Sequence, residues 1–266
     1  PALVWDETFY SGSDANAARA VAVGEDGTLY VAGDLGSGAD WAVLALKPDG
    51  SSRWKQQIKT EGVEIPHALA LAADGTLVVA GEQSGATSGK DLLVLGLDAA
   101  SGQERWRHTV AEPGNQVAHA VAVDIDRTGS VYVAGESQNE WLLLALSPSG
   151  TPRWSVRDGT GTARGLAVDP QGDLVVAGDN RLLWRVDKRA AADGAALWRR
   201  DVAPAVQRAH GAQANAVQVD GNGAITVAGL WTAPGGRTLR VERRGPDGAE
   251  QWSYIEPPGD AGNAGR

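Results

Sequence analysis

Tyr30-Val31-Ala32-Gly33 is the stretch that decides the fold, because it returns four times. It comes back as Val78-Val79-Ala80-Gly81, Tyr132-Val133-Ala134-Gly135, Val175-Val176-Ala177-Gly178 and Thr226-Val227-Ala228-Gly229, with the glycines 48, 54, 43 and 51 residues apart. Trp54, Trp106, Trp154, Trp198 and Trp252 keep the same step, and Trp5 precedes them. A period of about fifty residues that fills nearly the whole chain is the mark of a repeat architecture.

Each unit reads as four short strands. The first is small and alternating, as in Ala20-Val21-Ala22-Val23. A turn follows at Asp26-Gly27, Asp74-Gly75, Gln171-Gly172 or Asn222-Gly223, and at the longer Asp126-Arg127-Thr128-Gly129 in the third unit. Pairs ending in glycine predict two-residue type I′ hairpins. The second strand carries Val-Ala-Gly, the third is the most apolar (Trp41 to Leu46, Leu92 to Leu97, Trp141 to Leu146), and the fourth holds the periodic tryptophan. No helical period separates the strands, so a βαβ fold is excluded. The expectation is an all-β, five-bladed β-propeller with four antiparallel strands per blade. Its repeats run approximately over 11–58, 59–110, 111–158, 159–202 and 203–256, as one domain, with residues 1–10 a strand that closes the last blade and 257–266 a tail.

Composition agrees. Of the 266 residues 35 are glycine, ten are tryptophan and one is phenylalanine, with no methionine and no cysteine. That is a core of small aliphatics with a few large anchors, joined by tight turns. Without cysteine there are no disulfides, thiolate metal sites or cysteine nucleophiles. A net charge of −9 is the wrong sign for nucleic acid or an anionic membrane surface. No apolar run is long enough to span a bilayer. The sequence opens at Pro1 with no leader-type segment, as a processed mature chain would.

HExxH, GxSxG, P-loop and dinucleotide-binding patterns are all missing, and the histidines are four: His67, His108, His119 and His210. Asp124, Asp126 and Gly129 match a calcium loop too incompletely to be more than an acidic turn. Aligning the units on their hairpins is more informative. The first strands open on Arg19, His67, His119, Arg164 and Asn215, and Val-Ala-Gly is followed by Asp34, Glu82, Glu136, Asp179 and Leu230. A two-residue hairpin would set Arg19 opposite Asp34, His67 opposite Glu82 and Arg164 opposite Asp179. Base faces acid in four units, and in the fifth both members change together. Such a rung fixes register and is worth about 0.2–1 kcal/mol. The five openers would also ring the mouth of the central channel as a ligand-binding site. Asp40, Asp91 and Glu140 would add an acidic annulus, Trp41, Trp141 and Trp231 read as core anchors, and Arg237 to Arg244 as a solvated strand face.

From Gly96 to Trp106 the chain resembles the tryptophan-docking motif of quinoprotein-type propellers, with Gly96, Asp98, a Ser101-Gly102 turn in place of Thr-Gly, and Trp106. The whole unit is similar to bacterial β-propeller repeat families. The resemblance implies structural docking for Trp5, Trp54, Trp106, Trp154, Trp198 and Trp252, and export from a bacterium to the periplasm, the cell surface or beyond. The small residue two before the turn-leading position (Ala45, Gly96, Ala145) is matched with Arg185 and Arg240 in the last two units, whose side chains would then extend out of the blade interface. No quinone-site motif or calcium cluster accompanies the motif, so quinoprotein activity is not expected.

The leading expectation is a non-enzymatic binding or scaffold module that presents a propeller face to a protein, small-molecule or glycan ligand. No cofactor is predicted, with a channel-bound metal ion or Ca²⁺ left open. The alternatives are a propeller hydrolase or lyase that uses the channel histidines with a metal, and a structural component of a larger surface assembly joined through the chain ends.

Overall fold

In the computed structural model the described residues are 16–35, 40–58, 64–84, 89–123, 128–206 and 211–257. They form twenty strands and no helix, arranged as five four-stranded antiparallel sheets, the architecture of a five-bladed β-propeller. Sheet 1 holds β1 (Asn16–Val23), β2 (Leu29–Leu35), β3 (Asp40–Leu46) and β4 (Ser52–Ile58). Sheet 2 holds β5 (Ile65–Leu71), β6 (Thr76–Ser84), β7 (Lys90–Asp98) and β8 (Glu104–Val110). Sheet 3 holds β9 (Gln116–Val123), β10 (Val131–Ser137), β11 (Glu140–Leu146) and β12 (Pro152–Thr160). Sheet 4 holds β13 (Thr162–Val168), β14 (Leu174–Asp179), β15 (Trp184–Arg189) and β16 (Ala196–Val202). Sheet 5 holds β17 (Ala212–Val219), β18 (Ile225–Ala233), β19 (Gly236–Arg244) and β20 (Glu250–Ile255). Two compact units are distinguished, residues 1–138 with 142–157, and residues 139–141 with 158–266. The proposed closing strand with Trp5, the calcium-like Asp124 and Asp126, His210 and most of the tail lie outside the described residues.

The inner hairpins differ from the two-residue type I′ expectation. Gly24 N donates to Thr28 O and Gly27 N donates to Gly24 O, so the loop has three residues and only its last, Gly27, takes a positive φ. The same pattern recurs at Gly75, Gly172 and Gly223. This is a type I turn followed by a left-handed glycine, the usual three-residue solution. A two-residue loop with both residues at positive φ occurs instead at Gln138 and Asn139, between β10 and β11.

The third strands β3, β7 and β11 are almost wholly buried, and within each unit they pack against the neighbouring sheet. In the first unit, Trp41, Val43 and Ala45 pack with Leu93, Leu95 and Leu97. Leu92 and Val94 then pack with Leu142, Leu144 and Leu146. In the second unit Trp184 and Val186 pack with Ile225, Val227 and Trp231. Trp41, Trp141 and Trp231 are thus core anchors, and Trp231 lies in β18 rather than in a loop.

Three of the periodic tryptophans, Trp54, Trp106 and Trp198, bridge sheets. Trp54 Nε1 donates to Ala99 O at 3.0 Å and its ring lies over Gly102, in the β7–β8 turn. Trp106 lies over Gly150, and Trp198 donates to Pro246 O beside Gly248. Trp154 contacts the Tyr132 ring, and Trp252 is 48% exposed on β20.

The residue beneath the ring is Ala45 for Trp54 and Gly96 for Trp106. At that position sheets 4 and 5 carry Lys188 and Arg243, not Arg185 and Arg240 as the sequence alignment has it. In sheets 1 to 3 the residue before the tryptophan (Arg53, Arg105 or Arg153) bonds Thr28, Thr76 or Ser130 at the inner hairpin. Leu197 and Gln251 stand there in sheets 4 and 5, and the base comes from the third strand. Lys188 reaches Asp169 at 2.6 Å and Arg243 reaches Asp220 at 2.5 Å. A cation still holds the inner hairpin, but it comes from one strand further in and meets an acid at the position where the hairpin opens.

The signature glycines are demanded by close approach. A Cβ on Gly81 would lie 2.2 Å from Ile65 O and 2.8 Å from Pro66 Cα, both backbone. Gly81→Ala should cost about 1–3 kcal/mol by forcing the strands apart. Gly221→Ala, where a Cβ meets nothing within 4 Å, should stay within about 0.5 kcal/mol of the parent. Urea unfolding of the two variants side by side checks this.

Candidate functional site

All five openers of the first strands occupy one kind of position. Pairing runs regularly from the hairpin up to Ala20↔Ala32, then skips Arg19 and resumes at Ala18↔Gly33 and Ala17↔Asp34. His67, His119, Arg164 and Asn215 are skipped in the same way in the other four sheets. Each is the extra residue of a β-bulge, opposite the signature glycine. The in-register pairing of Arg19 with Asp34, His67 with Glu82 and Arg164 with Asp179 is therefore corrected. The residues directly opposite the acids are Ala17, Ile65, Val117 and Thr162. A three-residue turn shifts the ladder by one place and the bulge by another. A bulge bends its strand and re-aims a side chain.

Three of the re-aimed side chains still reach the acids. In the first unit Arg19 Nε is ion-paired with Asp34. His67 Nε2 lies 3.6 Å from Glu82 Oε2, and Lys90 Nζ lies 2.6 Å from Glu82 Oε1. Burial works to raise the Glu82 pKa, but His67 and Lys90 outweigh it and hold the carboxyl below its ordinary value. The rings of His67 and His119 are 5.5 Å apart, centre to centre, so two neighbouring bulges bring their imidazoles together. In the second unit Arg164 Nε lies 3.1 Å from Asp179, which is fully buried. Asn215 forms the fifth bulge, and Leu230 takes the place of the acid. Asp40 accepts from Gln57, Asp91 is buried, and Glu140 is exposed beside Trp141. Among the described residues no three His, Asp or Glu side chains are grouped so as to hold a metal ion.

Two further clusters were not foreseen from the sequence. On β15, Arg185, Asp187 and Arg189 alternate on one face and are all buried. Asp187 accepts from Arg185 at 2.7 Å and Arg189 at 2.5 Å, with Arg199 at 3.2 Å. All three arginines also meet Asp158, and the Arg185 guanidinium stacks 4.0 Å from the Trp141 ring. On β19, Glu242 is held by Arg244 at 2.7 Å and Arg240 at 2.8 Å, and accepts from Trp184 Nε1 at 2.9 Å. Arg240 lies 4.4 Å from the Trp231 ring. Arg185 and Arg240 therefore do not extend out of the interface, and Arg237 to Arg244 is not a solvated face: Arg240 and Arg244 are buried. The signal was in the alignment. Leu93-x-Leu95-x-Leu97 becomes Arg-x-Asp-x-Arg and Arg-x-Glu-x-Arg in the last two units.

These triads are stabilising only while complete. A buried pair competes about evenly with an apolar replacement, whereas removing one partner strands a charge and costs about 3–5 kcal/mol. Glu242→Leu alone should cost that much. Arg240→Leu, Glu242→Leu and Arg244→Leu together, which copies sheet 2, should cost less than the single change. Burial alone would raise the Glu242 pKa, but Arg244 and Arg240 hold it below its ordinary 4.5. A carboxylate with a depressed folded pKa contributes stability above its unfolded pKa and loses it as pH falls through the folded value. Urea midpoints taken downward from pH 7 should therefore drop below about pH 4.5 in the parent, and less steeply in the triple variant.

The family model described as outer membrane protein assembly factor BamB matches residues 2–145, more than half of the chain. No curated protein matches it. A protein of unknown function from Bacteroides caccae is 15% identical, with a TM-score of 0.58 over 95% of this chain and 85% of its own. The quinohemoprotein alcohol dehydrogenase from Comamonas testosteroni is 13% identical with a TM-score of 0.63 over 89% of this chain, which spans 52% of that enzyme. The Dos1 propeller is 12% identical with a TM-score of 0.59, over 91% and 70%. At these identities the likeness is one of fold.

Proposed function

The chain belongs to the family of the outer membrane protein assembly factor BamB, and we propose that it is a non-enzymatic protein-interaction module that binds through the polar side chains at the bulges of its inner strands, in each unit by itself. The observation that carries this reading is the bulge in every sheet, which turns one polar side chain out of the ladder each time. Positions that break the ladder five times over cost backbone pairing, and a recognition surface gives that cost a use. Arg19 and Arg164 hold their carboxylates in ion pairs, an arrangement suited to recognition rather than to proton abstraction. The family description favours assembly with other proteins and an exported, envelope location.

Site-specific photo-crosslinking in a producing bacterium tests the reading. Benzophenone-bearing residues at positions 67 and 164 should each yield a defined adduct with a single partner. The same residue at position 55, on the outer strand β4, should yield none. Adducts of equal yield from all three positions, or from position 55 alone, would contradict it.

A further inference from the structure

At the opposite end of the inner strands from the bulges, sheets 1 and 2 of the first unit enclose a groove of about 690 Å³. Its floor is Tyr30, Leu71, Ala72 and Ala99, and Val23 stands at its edge with 62% of its surface exposed. The space exists because the turns that bound it carry small side chains, Ala72-Ala73 in one and Ala99-Ala100 in the other. The rim carries Glu25, Asp26, Asp74 and Asp98 against Arg53 and Arg105.

Both guanidinium groups are already committed. Arg53 donates to Asp26 at 3.1 Å and to Thr28 at 2.7 Å, and Arg105 donates to Thr76 at 2.6 Å and to Asp98 at 2.7 Å. Four carboxylates against two spent cations leave the rim negative. Within that rim Arg105 and Ser101 hold the Asp98 carboxyl down at about 2. An aliphatic floor under an anionic rim selects a ligand that is apolar along its length and cationic at intervals.

We propose that this groove docks an extended segment of a partner protein in which lysine or arginine alternates with aliphatic residues. The aliphatic side chains lie on Leu71, Ala72 and Ala99 beside Val23, and the cations meet Glu25 and Asp74. The inference is independent of the bulged surface and requires nothing of it.

Fluorescence anisotropy with the purified chain decides it. The probes are labelled peptides Leu-Lys-Val-Lys-Leu, Leu-Glu-Val-Glu-Leu and Ser-Lys-Ser-Lys-Ser. The first should bind at least about tenfold more tightly than either of the others, and should weaken as salt is raised. Val23→Ser and Glu25→Lys, both at exposed positions, should each weaken it about fivefold or more. Ala73→Trp should block it, while His67→Ala should leave it unchanged. Unchanged circular dichroism shows that the variants fold. Equal binding of the glutamate peptide, indifference to Val23→Ser and Glu25→Lys, or no binding of the lysine peptide would overturn the proposal. So would self-association of the chain through this groove, which would make a second copy the occupant.

Discussion

In each sheet a backbone carbonyl occupies the space that a Cβ on the signature glycine would need. Ala17 O, Ile65 O, Val117 O, Thr162 O and Gln213 O lie 1.9–2.2 Å from the ideal Cβ of Gly33, Gly81, Gly135, Gly178 and Gly229. The carbonyl can come so close because the inner strand kinks there to accommodate one extra residue. Glycine and bulge are thus two sides of one constraint. The glycine is in ordinary extended backbone, so its role is clearance rather than freedom of φ. From that clearance follow the direction of Arg19, His67, His119 and Arg164, and the shift that places Ala17 rather than Arg19 opposite Asp34.

The stacking of sheets is solved in two ways within one chain. Sheets 1 to 3 use third strands that are apolar on both faces, while sheets 4 and 5 set Arg-acid-Arg triads between tryptophan rings. Cation-π contact adds something to each arginine, but the triads carry a large desolvation cost and depend on being complete. The first solution tolerates change in increments of methylene groups; the second fails at once when a partner is lost. The same two sheets move the hairpin-binding cation from the fourth strand to the third, so their divergence from the first three is concerted.

The number of sheets, the strands per sheet and the buried third strands were legible because repetition and apolar runs are written directly in the residues. The pairing of Arg19, His67 and Arg164 with their acids was half legible. Joint change in the fifth unit marks contact, but contact through a bulged side chain and contact across a regular rung leave the same trace in a sequence. Asp-Gly and Asn-Gly likewise serve two turn types, and only the hydrogen-bond closure at Gly24 and Thr28 separates them. The triads were hidden by an alignment three residues out of step. It matched Arg185 and Arg240 to the residue under the tryptophan, where Lys188 and Arg243 stand. Charged residues that alternate along a strand read as solvated until the face they share is seen to be buried.

A double-mutant cycle in sheet 5 tests the link between glycine and bulge most directly. Deletion of Asn215 removes the extra residue, Gly229→Ala adds the Cβ that its neighbour Gln213 O would meet at 2.0 Å, and the combined variant carries both. Unfolding free energies of the four proteins give the coupling. If the carbonyl approaches only because of the bulge, the alanine should cost little once the bulge is deleted, and the two losses should be strongly sub-additive. Losses that simply add, with alanine as costly in the deletion background as in the parent, would contradict the account.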